Sequence, residues 1–261
     1  LLQEINYCHM KNYLVPILLV LLTLPAWTQE DTLSAGEDLD EKEIIINERT
    51  RRYKPFHTRW GIVDFGISGM APDQTYRLEN GIDPFEQRLI KSTNINIHIL
   101  QSRLGVAQGH LNLVYGLTFE AHKYFLDNPV ILLDDQPEVT FEFVEGVNYK
   151  KNRLSYSYLT VPLMLNIKSN PRRPYRSFHL SAGVYGGFLL GANFKTKTRD
   201  DKVKTKDNFA LNNWRYGLRG EIGYGPLIFY GTVALNELFE EDKNNGYQIT
   251  PYTVGVILWP F

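Results

Sequence analysis

From residue 59 onward the chain alternates apolar and polar side chains with a period of two, a pattern that leaves few folds open. Thr93, Ile95, Ile97 and Ile99 alternate with Ser92, Asn94, Asn96 and His98. Leu111, Leu113, Tyr115, Leu117 and Phe119 alternate with Asn112, Gly116, Thr118 and Glu120, and Trp214, Tyr216, Leu218 and Ile222 are set against Arg215, Gly217, Arg219 and Glu221. Successive side chains of a strand point to opposite faces, so each stretch describes a sheet that meets two different solvents. Similar stretches cover 59–70, 154–168, 177–195, 226–238 and 247–261, which makes eight expected strands. In 154–168 the outward face carries Leu159, Val161, Leu163, Leu165 and Ile167, and Pro162 falls on the other face, unusual for a paired strand. The fifth stretch is rich in glycine, at Gly183, Gly186, Gly187 and Gly191, where a small barrel has to curve.

The connections repeat with their own period. Those at 104–109, 169–175 and 224–226 are short, whereas those at 71–88, 126–151 and 196–209 are long, and only 240–246 is a shorter loop at the long-loop end. An even strand number with short turns at one end and long loops at the other predicts an all-β fold, an antiparallel up-and-down transmembrane β-barrel. A soluble barrel of eight strands would keep its apolar side chains inside and show a polar exterior.

The N-terminal part supplies the location. Met10-Lys11-Asn12 is a short basic start, residues 13–24 are an apolar run broken by Pro16 and Thr23, and Pro25-Ala26-Trp27-Thr28 is a small-residue exit before Gln29. About a dozen apolar residues fall short of the ~20 that span a bilayer as a helix. The reading is therefore residues 1–9 as translated upstream sequence, 10–28 as a cleaved signal peptide, 29–56 as a charged periplasmic lead-in and 57–261 as the barrel. The lead-in carries Glu30, Asp31, Glu37, Asp38, Asp40, Glu41 and Glu43, then Arg49, Arg51, Arg52 and Lys54, as expected of a solvated linker. The single cysteine, Cys8, precedes the leader, so the mature chain has neither a disulfide nor a cysteine to carry a lipid. A formal net charge of −1, without basic residues interleaved with stacking aromatics, gives no case for nucleic acid.

Several short motifs add a family likeness. Lys91-Ser92 with Asn94, Leu111-Asn112-Leu113, Gly116-Leu117-Thr118-Phe119 and Tyr158-Leu159-Thr160-Val161-Pro162-Leu163 resemble the PorT-like outer-membrane β-barrel proteins of Bacteroidota. So do Ser181-Ala182-Gly183-Val184, Trp214-Arg215-Tyr216-Gly217-Leu218, Gly223-Tyr224-Gly225 and Pro251-Tyr252-Thr253-Val254-Gly255. The resemblance covers residues 60–261 and implies an outer-membrane barrel; its namesake takes part in type IX protein secretion, and most relatives of this kind have no assigned role. It brings no catalytic or ligand residue with it.

Chemistry is sparse. His98, His110, His122 and His179 suit lumen or interfacial positions, and no partner spacing repeats that would make one of them a catalyst. No metal-ligand spacing and no phosphate loop opening a helix is present in the sequence, so no cofactor and no enzyme activity is expected. Asp64, Glu120, Arg215, Arg219 and Glu221 share the inward parity, and isolated charges there would cost several kcal/mol each, so they are expected to pair into a lumen network. If the lumen conducts instead, the basic segment 195–206 would select anions at the outer mouth. The apolar end of the chain, Ile257, Trp259 and Phe261, reads as the signal for barrel-assembly machinery, although Val254, Val256 and Leu258 make its lipid face ambiguous. The expectation is a structural or protein-interaction role in outer-membrane lipid, as an accessory of protein export with secretion-complex partners; a small-solute channel is the alternative, and an outer-membrane enzyme a more distant one.

Overall fold

The computed structural model describes residues 55–147, 149–199 and 201–258. The leader, the lead-in up to residue 54, Trp259 and Phe261 lie outside the described residues. The strands are β1 (Phe56–Arg59), β2 (Ile62–Pro72), β3 (Thr93–Gly105), β4 (Leu111–Phe125), β5 (Val130–Leu132), β6 (Phe141–Phe143), β7 (Lys151–Lys168), β8 (Phe178–Lys197), β9 (Lys202–Thr205), β10 (Trp214–Tyr224), β11 (Leu227–Ala234) and β12 (Ile249–Leu258). Three 3-10 turns, Leu89–Lys91, Pro174–Arg176 and Glu241–Lys243, are the remaining regular elements among these residues.

Every pairing in the barrel is antiparallel, in the order β2-β3-β4-β7-β8-β10-β11-β12, and β12 returns to β2 from Ile249↔Pro72 to Leu258↔Val63. The result is a closed eight-stranded barrel, with no open sheet edge around its girth. β1 continues the line of β2 along β3, after a kink at Trp60-Gly61 where Gly61 takes φ of 70°. Hence the first strand begins at Phe56, three residues before the alternation at 59–70 announces it. β9 pairs with the end of β8, and β5 with β6, as two hairpins at the long-loop end.

The outer surface is apolar. Phe65, Ile97, Leu165, Val184, Leu218, Phe229 and Val254 are all between 40% and 60% exposed, far more than an isolated water-soluble domain shows as one continuous band. On β12 the ambiguity resolves: Val254 and Leu258 are exposed, while Pro251, Thr253 and Ile257 pair with Met70, Ser68 and Asp64 of the inward face. Aromatic side chains border the band. Trp60, Tyr175 and Tyr224 are exposed near the short turns, and Trp214 packs edge-to-face on Phe188, centroids 5.2 Å apart, toward the loops. Trp214 and Tyr224 stand at the two ends of the 11-residue strand β10. Ten rises of about 3.3 Å at a tilt of ~40° give roughly 25 Å, the height of an outer-membrane apolar band.

Two bulges let this exterior stay apolar. Register shifts between His98 and Leu100, and the corresponding shift opposite Ser157/Tyr158 at Leu190-Gly191, exchange the inward and outward parity of β3 and β8. Pro162 is inward and falls in a gap of the β4–β7 ladder, between Tyr115↔Leu163 and Thr118↔Thr160, which is how a residue without N–H is accommodated there.

The long connections close over their end of the barrel. Strand β11 ends at Ala234, so the last connection is 235–248 and not the shorter 240–246. It packs with residues of 76–85, 126–143 and 209–211 into an apolar cap over the barrel. Tyr76, Phe85, Phe141 and Tyr247 meet edge-to-face at 5.1–5.7 Å, and Leu126, Val130, Leu132, Leu211, Leu238 and Phe239 fill the space above Tyr124, Tyr156 and Ile249. Tyr76 Oη receives the N–H of Gln248 at 2.8 Å and donates to Asp73, fastening the first loop to the last. On the β8–β9 hairpin, Phe194 and Thr196 are buried, and Lys197 and Lys202, directly paired, are exposed.

Candidate functional site in the barrel lumen

Below the cap the inward residues turn polar, and they form one connected network. Asp64 on β2, with its side chain fully buried, is the lower centre. Its Oδ2 accepts from Arg219 Nη2 at 2.7 Å, from His98 Nε2 at 2.8 Å and, weakly, from Asn96 Nδ2 at 3.5 Å. Because a carboxylate only accepts, His98 Nε2 is the donor toward it, and its Nδ1 meets the Thr118 hydroxyl at 2.8 Å. Arg219 Nε donates to Glu221 Oε1 at 2.9 Å, and the guanidinium lies 4.6 Å from the ring centroid of Tyr230, a cation held between two carboxylates and a π face.

The upper centre is built on Arg215, Glu120 and His122. Arg215 Nη1 donates to His122 Nε2 at 2.8 Å and is 3.7 Å from Glu120 Oε2. An arginine cannot accept, so His122 Nε2 is the bare nitrogen, and its Nδ1–H is the donor toward Ser68 Oγ at 3.2 Å. The 3.4 Å approach of His122 Nε2 to Glu120 is then a contact and not a hydrogen bond. Thr160 supplies Glu120 Oε1 with a hydroxyl at 2.9 Å, and the Arg215 guanidinium also sits over the rings of Tyr158 and Tyr185 at 5.8 and 5.6 Å.

Two asparagines join the centres. Asn94 Nδ2 donates to Asn96 Oδ1 at 2.8 Å and approaches His122 Nε2 at 3.2 Å, while Asn94 Oδ1 accepts from Tyr230 Oη at 2.7 Å. Ser68 Oγ meets Thr253 Oγ1 at 2.9 Å across the closing β12–β2 seam. The lumen network therefore ties seven strands together by hydrogen bonds, and β8 joins through Tyr185. Room for it comes from the glycine pair Gly66↔Gly255 at the seam, since a Cβ on Gly66 would stand 2.5 Å from Tyr230 Oη.

Of the residues singled out by charge and parity, Asp64, Arg219 and Glu221 stand together in the lower centre and Glu120 with Arg215 in the upper one. Trp259 and Phe261 lie outside the described residues. Charge alone overlooks Asn94, Asn96, Thr118, Thr160, Ser68 and Tyr230, which carry most of the connecting bonds. Their signal in the sequence is position: each has the inward parity of its strand. Among the described residues no group of three or more His, Cys, Asp or Glu side chains could hold a metal ion.

No curated protein matches the chain. Residues 65–240 match a family described as the outer membrane protein beta-barrel domain, a span that runs from β2 into the last loop; it includes the upper centre and, of the lower one, His98, Arg219 and Glu221, with Asp64 one residue before its start. The barrel, its apolar girth and this match place the chain in that family: it is an outer-membrane β-barrel protein.

Proposed function

We propose that the protein is a non-conducting, non-catalytic barrel whose role is structural or interactional, acting as an accessory of protein export of the PorT-like kind found in Bacteroidota. The supporting observation is the filled lumen: a hydrogen-bonded network spanning seven strands, with an apolar cap over the loop end. A solute path through it would have to break buried ion pairs and then part a packed core. In this reading the short turns and both termini face the periplasm, the capped end faces outward, and interaction with partners falls to the exterior of the loops. Barrel-assembly machinery inserts the chain by reading its aromatic end, so deleting Phe261 lowers the amount reaching the outer membrane, and normal amounts of the truncated protein would remove that part of the reading.

Planar-bilayer recordings test closure: wild type gives no sustained current, and stable ion currents would replace this reading with that of a small-solute channel. Deleting the gene from its native host tests the export role. Secreted cargo should accumulate in the periplasm, and unchanged secretion would exclude the accessory function while leaving the closed barrel standing.

A further inference from the structure

Below the lower centre, at the short-turn end, the lumen holds a cavity of about 40 Å³ lined by Gln101, Arg103, Asn166, Lys168, Ser181 and Glu221, with His179 beside them. Its charges are unbalanced. Lys168 is 6% exposed, and its side chain makes no hydrogen bond or ion pair with any described residue. Arg103 has a buried Nε with no acceptor. The one carboxylate in the lining, Glu221, is already held by Arg219 at 2.9 Å. Burying a lysine ammonium beside an arginine without a counter-charge is strongly unfavourable, so a site of this kind is stable when an anion completes it.

We propose that this vestibule binds a tetrahedral oxyanion, phosphate itself or the terminal phosphate of a larger molecule. Lys168 supplies a point charge, and Arg103 a guanidinium fork suited to two oxygens at once. Asn166 Nδ2 donates to Ser181 Oγ at 2.9 Å, which leaves the Ser181 hydroxyl hydrogen to pass onward to the anion. Donors on β3, β7 and β8 thus surround the space from three sides, as a group with oxygens in all directions requires. The volume, on the order of three waters, admits one phosphate group and excludes a sugar ring from the same depth. Glu221 opposes the anion, and the two cations in the lining outnumber it.

Thermal unfolding of the refolded barrel in detergent micelles, with inorganic phosphate as the probe, tests the site. Phosphate raises the wild-type midpoint by a saturable amount at about 10 mM, whereas chloride at matched ionic strength does not, as mass-action linkage requires of a specific site. Lys168→Gln and Arg103→Gln each weaken the titration by tenfold or more, Lys168→Arg retains it, and Lys197→Gln, on the exposed hairpin, leaves it unchanged. Because Lys168→Gln removes an unpaired charge, it folds at least as well as wild type when phosphate is absent. A second arm with glycerol phosphate separates the sources: response to both probes assigns a terminal phosphate, and response to inorganic phosphate alone assigns the free ion. An equal midpoint shift in chloride, or full phosphate response in the Lys168→Gln and Arg103→Gln variants, overturns the proposal.

Discussion

Replacing Arg219 with methionine asks the most of the lumen network. The substitution keeps much of the side chain's volume and removes the donors to Asp64 Oδ2 at 2.7 Å and Glu221 Oε1 at 2.9 Å. Asp64 is left fully buried with His98 and a long bond from Asn96, and its Oδ1 has no partner to fall back on. Breaking a buried pair by removing one side costs about 3–5 kcal/mol, and the two carboxylates stranded here put Arg219→Met at the upper end, ~5 kcal/mol. Asp64→Asn alone costs about 3 kcal/mol by the same reasoning, since it strands the guanidinium. Combined, the two changes remove both charges, so the double variant is expected to fall ~2 kcal/mol short of the sum of the singles. Urea titrations of refolding in lipid vesicles read all four members of the cycle. Additivity within about 0.5 kcal/mol would refute the argument, because residues 2.7 Å apart in a medium without water cannot be independent.

Three further perturbations probe the exterior, the seam and the cap. Arginine at Ile97 or Leu163, 40% and 48% exposed on the apolar band, costs about 2–4 kcal/mol near the midplane, and vesicle refolding that tolerates both would remove their assignment to lipid. Gly255→Ala brings a Cβ to 2.3 Å from the Phe65 carbonyl oxygen and 2.5 Å from Gly66 Cα, both backbone atoms, so it lowers stability by about 1–3 kcal/mol at the closing seam; an unchanged thermal midpoint would contradict that crowding. Phe85→Ala removes the ring that Tyr76, Phe141 and Tyr247 surround and costs about 3–5 kcal/mol in the cap, with limited proteolysis expected within 73–92 while the barrel keeps its strand signal by circular dichroism.

The barrel was legible in the sequence because a membrane strand imposes a two-residue period on its side chains. Asp64, Arg215 and Arg219 could be assigned to the lumen on that period alone, since lipid does not accept a charge in midstrand. The cap was not legible for the opposite reason. Tyr76, Phe85, Val139, Phe209 and Tyr247 are separated by turns, follow no period, and become a core only when four loops converge. The asparagines of β3 show an intermediate case. Their parity is plain, whereas their role as the link between two charged centres depends on Tyr230 and His122, 136 and 28 residues away in sequence.

Arg103 shows where the period itself misleads. Counted from Ile95, Ile97 and Ile99, every odd position of β3 belongs to the lipid face, and Arg103 would stand in the apolar band, at a cost no neighbour could offset. The shift between His98 and Leu100 inserts one residue, so Leu100 pairs with Leu117 and Arg103 with Val114, an inward partner. The bulge is set opposite Gly116, where a Cβ would stand 2.2 Å from the Leu100 carbonyl oxygen, and beside the gap that Pro162 leaves in the β4–β7 ladder. Three local irregularities, a bulge, a glycine and a proline, thus meet at one height of the wall. Their combined effect is to turn the lower part of β3 by one face, which moves a cation from lipid into the vestibule it shares with Lys168.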